Sequence, residues 1–374
     1  MRRRGRAFII GIGIMMAAAA LSGCGKKAEE AAVTTEAPTV TPEETKTIVL
    51  ETEPTTEAET EPEGPEERKE VDGKIQSYLT GEMVDVAKAN RRPVAVMMSN
   101  DKASLPQYGI NRADVVYEAP VEGDMNRYMA IFEDYDDIER IGSVRSCRTY
   151  YLLFAKEFEA NYVHFGYSEY AADYLAQPSF YALDGMAYCS FYRTADRVAP
   201  HNAYTSWNGI MDSVAKKGYD TIYPQNFVKP FSFNEEDDKQ IQIAGGETCN
   251  TFYPGYPYNK PWFEYDESTG EYLRFQFDDA QIDAETGEQL SYKNILVKYV
   301  EPDYYENGTP NYKVDGTGAG LFITNGKAVQ VTWKKDSETS GPTKYYYEDG
   351  TEIVLNQGKT YICQVETTQN VTVE

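Results

Sequence analysis

The chain of 374 residues carries a formal net charge of −24, from 36 Lys+Arg against 60 Asp+Glu. That balance argues against generic binding to a nucleic-acid backbone, which takes a basic footprint, and confines any anion site to a local cluster of arginines. With two histidines and five cysteines that form no C-x-x-C pair, no spacing points to structural zinc.

The N-terminus reads MRRRGRAFIIGIGIMMAAAALSGCGKK. A basic n-region, an apolar stretch from Ala7 to Leu21 and small residues before a break make a secretory signal peptide over 1–23. The stretch is shorter than the roughly 20 residues that span a bilayer. Leu-Ser-Gly-Cys at its end resembles a bacterial lipobox, in which Cys24 is lipidated and becomes the mature N-terminus. Loss of the four signal-peptide arginines takes the net charge from −24 to about −28. Residues 24–70 hold the lipidated Cys and a Thr/Glu/Pro segment almost free of aromatics. Such a segment buries too little apolar area to offset its ordering entropy, so it is expected to be a disordered acidic tether.

The body is expected to divide into 71–235 and 236–374. In the first part, strand-like runs (93–100, 113–122, 126–135, 161–166) alternate with helix-like ones (146–160, 168–177, 205–218). Ser146 and Ser168 read as N-caps and Gly218 as a C-cap glycine. From about residue 250 the pattern is hairpins: 262–277, 320–335 pivoting on Asn325-Gly326, and 343–355 pivoting on Asp349-Gly350, with a last strand at 359–366. The expected class is α+β, or α/β. It pairs a mixed layered α/β N-terminal domain with a mainly antiparallel β C-terminal domain, a small sandwich or barrel.

No G-x-S-x-G, H-E-x-x-H, P-loop, S-x-x-K set or strand-linked G-x-G-x-x-G is present. Polar residues instead gather at the ends of strands. Glu118 and Glu122 flank an apolar strand end, and Arg127 opens the next strand. Arg145 and Arg148 sit either side of Cys147 at a helix start, where free N–H groups favour anions. His164 lies in an apolar strand, and Arg193, His201 and Asn202 share a loop-like segment. Binding residues concentrate at such places, so a shared pocket is expected. Cys147, Cys189, Cys249 and Cys363 allow three disulfide pairings, or none.

The stretches RPVAVMMSND, ADVVYEAPVEGDMNRYMAIFED, IGSVRSCRTYY, YVHFGYSEYA, SFYRTADRVAPHNAYTS and GTGAGLFITNGKAVQVTWKK, in that order, resemble the YerB-like lipoprotein family, over about 90–366. The resemblance implies a bacterial lipoprotein with a two-part body and no established activity. It also implies a small residue at the position of Cys147, which speaks against thiol chemistry there. The resemblance further implies a His in many relatives at the position of Gln281, so a three-histidine metal site is not expected here.

Two readings stand. In the first, the protein binds an envelope ligand or partner, such as peptidoglycan or another envelope protein, with Arg127, Arg145, Arg148, Arg193 and Asn202 as ligand-binding residues. In the second, it is a glycan- or peptidoglycan-processing enzyme, with Glu118 and Glu122 as paired carboxylates and His164 or His201 moving protons. Neither needs a cofactor or metal, and no nucleic-acid partner is expected. The expected place is the outer face of the cytoplasmic membrane of a Gram-positive bacterium, held by lipid.

Overall fold

Runs such as Val94–Ser99 (VAVMMS) and Asn294–Val300 (NILVKYV) are apolar on both alternating faces, which suits strands covered on both sides. The computed structural model describes residues 68–187, 190–235, 240–243 and 245–374. The signal peptide, Cys24, nearly all of the tether and Cys189 lie outside them. The described body is mostly β with some helix, and it falls within one compact unit.

We number the principal strands β1 (Val94–Ser99), β2 (Val115–Pro120), β3 (Asn126–Phe132), β4 (Asn161–His164), β5 (Ala182–Asp184), β6 (Trp262–Asp266), β7 (Glu271–Gln276), β8 (Asn294–Val300), β9 (Gly316–Thr324), β10 (Lys327–Lys335) and β11 (Thr360–Glu366). The two longer helices are α1 (Thr149–Glu157) and α2 (Trp207–Lys217). One sheet runs in the order β10-β9-β8-β11-β2-β3-β1-β4-β5, with Glu247–Thr248 and Lys344–Tyr346 added along β10. The last long strand, expected among antiparallel hairpins, instead enters the middle. β11 pairs in parallel with β8 on one side and β2 on the other, so strands from both halves of the chain share one sheet. Because β3 is antiparallel to both β1 and β2, and β4 and β5 follow β1 in parallel, β8, β11, β2, β1, β4 and β5 all point the same way.

The sheet separates two cores. On one face Met97, Tyr117, Ile131, Tyr162, Leu296 and Ile362 pack under α1. On the other, Val96, Val116, Ala130, Val163, Ile295 and Cys363 meet Phe263 and Tyr272 of a second, smaller sheet built around β6 and β7, and Ile210 and Val214 of α2.

Local signals hold in several places. Asn325 and Gly326 both have positive φ (49° and 69°), as a type I′ hairpin turn demands. Ser206 caps α2 by accepting the Gly209 N–H, and Gly218 ends it in the left-handed region at φ 64°. Ser146 does not cap α1. The helix starts at Thr149 with extended Arg148 before it, because the Arg145 and Cys147 N–H groups are already bound to the Met97 and Gly166 carbonyls. The run 168–177 forms only a short 3-10 turn, Glu169–Ala171, followed by Ala172–Leu175.

Ile362 is fully buried in β11, opposite both Leu296 and Tyr117. Ile362→Ala should destabilise by about 2–5 kcal/mol. Because β11 joins the halves, urea unfolding followed by tyrosine fluorescence and by far-ultraviolet circular dichroism should move as one transition. Two separated transitions would contradict this account of β11.

Candidate functional site

Since six strands point the same way, their carboxyl ends meet at one edge of the sheet, the edge where open parallel sheets commonly bind ligands. Asn100 and Asp101 follow β1, Glu122 and Asp124 follow β2, Gly166 follows β4 and Thr368 follows β11. Arg127 arrives there because β3 runs the opposite way.

Glu118 lies just inside this edge and has no solvent contact. Its Oε1 accepts from the side-chain amides of Asn100 (3.1 Å), Asn126 (3.0 Å) and Asn259 (2.8 Å). Its Oε2 accepts from Arg274 Nη2 (2.9 Å) and the Tyr361 hydroxyl (2.6 Å). Arg274 is equally buried, ringed by Tyr128, Phe263 and Tyr361, and its Nη1 donates to Gln281. Gln281 in turn donates to Gln107 (3.1 Å). Every Glu118 oxygen is occupied, and the residues holding it come from both halves of the chain. Sequence reasoning singled out none of Asn100, Asn126, Asn259, Arg274 or Tyr361. The one available signal was Arg274 in the alternating run EYLRFQ.

Outside this knot, Glu122 and Arg148 form a two-pronged ion pair, with Nε and Nη2 each 2.7 Å from a carboxylate oxygen. The pair holds Glu122 below its ordinary range despite partial burial. Arg127 is buried and donates to the Ser146 carbonyl. Burial, and then the neighbouring Arg148 and Arg145 charges, push it down to about 10. Arg145 is likewise lowered, by burial first and with Arg148 repelling it against the pull of Asp101, and its buried Nη1 has no hydrogen-bond partner. Among the described residues neither Arg127 nor Arg145 has a carboxylate within ion-pair distance. Cys147 is sealed behind them. Burial drives its thiol up to about 12 in spite of Arg148 and Arg127, so it is no activated nucleophile. Cys147, Cys249 and Cys363 are all buried free thiols.

The histidines are not together in one open pocket. His164 is buried and stacked on Tyr162. Its Nδ1 lies 2.8 Å from the Gly166 carbonyl, Asp184 Oδ1 is 3.8 Å away, and Nε2 is buried without a partner. Burial lowers its pKa, favouring the neutral ring. His201 is nearer the surface, with Nε2 4.0 Å from Asp101 Oδ1, and it too is lowered, by burial first and by Arg145 and Arg197. Arg193 and Asn202 face each other across the short pair Tyr192–Arg193 and Ala203–Thr205, with Arg193 Nη1 2.7 Å from Asn202 Oδ1. The edge therefore gathers Arg127, Arg145, Arg148 and Glu122, with His201 within their field. It buries Glu118 and His164 and leaves Arg193 and Asn202 bonded to each other.

A different titratable pair sits at the opposite edge. Asp114 precedes β2 and Glu133 follows β3, and the Glu133 N–H donates to Asp114 Oδ2 at 2.6 Å. Burial raises both carboxyls, Asp114 to about 7 with Glu82 and Asp134 repelling it, and Glu133 to about 8 with Asp114 repelling it.

Two outcomes follow. Glu118→Gln leaves Arg274 buried without its counter-charge and should cost about 3–5 kcal/mol in urea unfolding, with Arg274→Met added to it restoring part of the loss. A cost below 1 kcal/mol would contradict the tie described above. For Asp114 and Glu133 the folded values lie above the unfolded value of about 4, so the folded state keeps protons that the unfolded chain has released. Their contribution is full below about pH 4 and is lost as pH climbs through 7 to 8. The urea midpoint should fall from pH 5 to pH 8.5, and Glu133→Gln should flatten that slope.

Comparison with known proteins agrees with the architecture. The model of the N-terminal domain of DUF3048, a protein family of unknown function, matches residues 79–220, and that of its C-terminal domain matches 252–362. YerB of Bacillus subtilis (strain 168), whose name carries the word lipoprotein, is 29% identical over 300 residues, spanning 77% of this chain and 86% of the relative. The crystal structure of Bacillus subtilis YerB aligns with a TM-score of 0.69 at 27% identity, covering 78% of this chain and 96% of that one. The sheet shared by both halves, the order of the matching stretches and these alignments make the chain a member of the DUF3048 family.

Proposed function

We propose that the protein is a lipid-anchored, extracytoplasmic receptor whose arginine cluster holds an anionic group, phosphate or carboxylate, of an envelope ligand or partner. The observation that carries this reading is the charge imbalance at the carboxyl edge. Arg148 is satisfied by Glu122, while Arg127 and Arg145, which lie in each other's field, have no carboxylate within ion-pair distance among the described residues, Asp101 attracting Arg145 only from beyond it. An anion bound there would relieve that repulsion and take the unused Arg145 donor. Attachment through Cys24 and a place on the outer face of a Gram-positive cytoplasmic membrane are part of the proposal, supported by the lipobox and by the relative's name. A glycan-processing reading based on Glu118 and Glu122 would first have to break the five hydrogen bonds to Glu118 and the ion pair of Glu122.

The test is calorimetric titration of the full chain with pyrophosphate and with citrate. Saturable binding that weakens with added salt, and weakens about tenfold or more in Arg145→Ala, is expected. Absence of binding to both, or binding that Arg145→Ala leaves untouched, would overturn the proposal.

A further inference from the structure

A cleft opens at the same edge, on the other side of Glu122 from the arginines. Its volume is about 440 Å³, within the roughly 300–1,000 Å³ usual for small-molecule sites. It lies where three parallel strands end. Glu122 and Asp124 follow β2, Tyr304 and Tyr312 follow β8, and Thr368 follows β11. From β8 the sheet path continues through β9 to one side, and from β2 through β3 to the other. The cleft thus sits where the chain's connections part, the place where open parallel sheets form a crevice.

Its walls have a definite chemistry. Glu366 Oε1 accepts from the hydroxyls of both Tyr304 (2.9 Å) and Tyr312 (2.6 Å), while Oε2 takes only a long bond from Thr368 (3.3 Å). Tyr304 is about half exposed, so its ring is held by its hydroxyl with a face toward solvent. Asp124 is exposed and has no hydrogen-bond partner among the described residues. Glu122, on the shared wall, is already neutralised by Arg148. Three carboxylates repel anions. Glu122 is spent on Arg148, and Glu366 Oε1 on its two phenol donors. What remains is a fixed aromatic face beside acceptors with spare capacity, Asp124 and Glu366 Oε2, which suits a ligand with an apolar ring face and several hydroxyl donors. A rigid tyrosine binds with little loss of conformational entropy.

We infer that this cleft is a saccharide-binding site for a short uncharged glycan segment, stacked on Tyr304 and hydrogen-bonded by Asp124 and Glu366. It is separate from the anion site proposed above and does not depend on it.

The experiment titrates the full chain with tri-N-acetylchitotriose, cellotriose and maltotriose by saturation-transfer NMR and calorimetry, with spermine and pyrophosphate as charged probes. At least one trisaccharide should bind, with affinity lowered about tenfold or more by Tyr304→Ala and by Asp124→Ala, and unaffected by Arg145→Ala. Circular dichroism of each variant confirms its fold. If no trisaccharide binds, if binding survives Tyr304→Ala, or if spermine binds in a Tyr304-dependent way in place of sugars, the assignment is wrong. Pyrophosphate binding lost only in Arg145→Ala would bear on the anion site alone.

Discussion

The buried carboxylate of Glu118 is the constraint on which the rest of the body depends. A lone charge in such an interior is prohibitive, so the fold has to deliver donors to it from every side. Asn126 comes from β3 beside β2, Asn100 from the end of β1 beyond it, Tyr361 from β11, Arg274 from the second sheet and Asn259 from the loop before β6. These five donors cannot converge unless β11 lies beside β2 and the smaller sheet is seated on that face. The knot therefore specifies how the two halves of the chain meet more sharply than apolar packing could, since apolar contacts tolerate sliding and hydrogen-bonded charges do not.

The insertion of β11 also creates the functional edge. A parallel neighbour on each side of β11 aligns the carboxyl ends of β8, β11 and β2, and β1, β4 and β5 continue the same direction beyond β3. Loops from both halves are thereby brought to one rim. The rim is chemically divided by the Glu122–Arg148 pair. On one side stand Arg127 and Arg145 with no carboxylate in ion-pair distance among the described residues, and on the other a cleft lined by carboxylates and tyrosines. Interior sites elsewhere, such as Glu157 with Lys335 and Thr343, link α1 to β10 but are sealed from solvent.

Much of the local structure was legible from the chain. The four early strands, the two longer helices and the Asn-Gly hairpin follow from periodicity and turn chemistry, and each appears close to where those signals place it. The candidate residues at strand ends were also legible as types. Their roles were not. Glu118 and Glu122 look alike in sequence, yet one is interior and saturated and the other pairs at the rim, because successive turns of the backbone beyond β2 carry Glu122 out of the sheet. Arg274 shows the difficulty most clearly. In EYLRFQ the apolar residues Leu273 and Phe275 invite an inward assignment, but Tyr272, Arg274 and Gln276 are the buried set. The reason is Glu118, which lies far away in sequence and draws that face of β7 inward.

By itself the sequence determined the short-range features: apolar strands that must be covered on both faces, hairpin turns where φ is positive, a capped helix, and the acidic, arginine-poor character that restricts anion binding to one cluster. Those depend on neighbours a few residues apart, where backbone sterics and side-chain periodicity decide. Only the tertiary structure decided that the C-terminal strand would become a central one, that Glu118 would be locked away with Arg274, and that an arginine cluster and an acidic cleft would share Glu122. Those depend on pairing across much of the chain. There, the cost of leaving a buried charge unmatched outweighs local preference, and no spacing along the chain announces the partner.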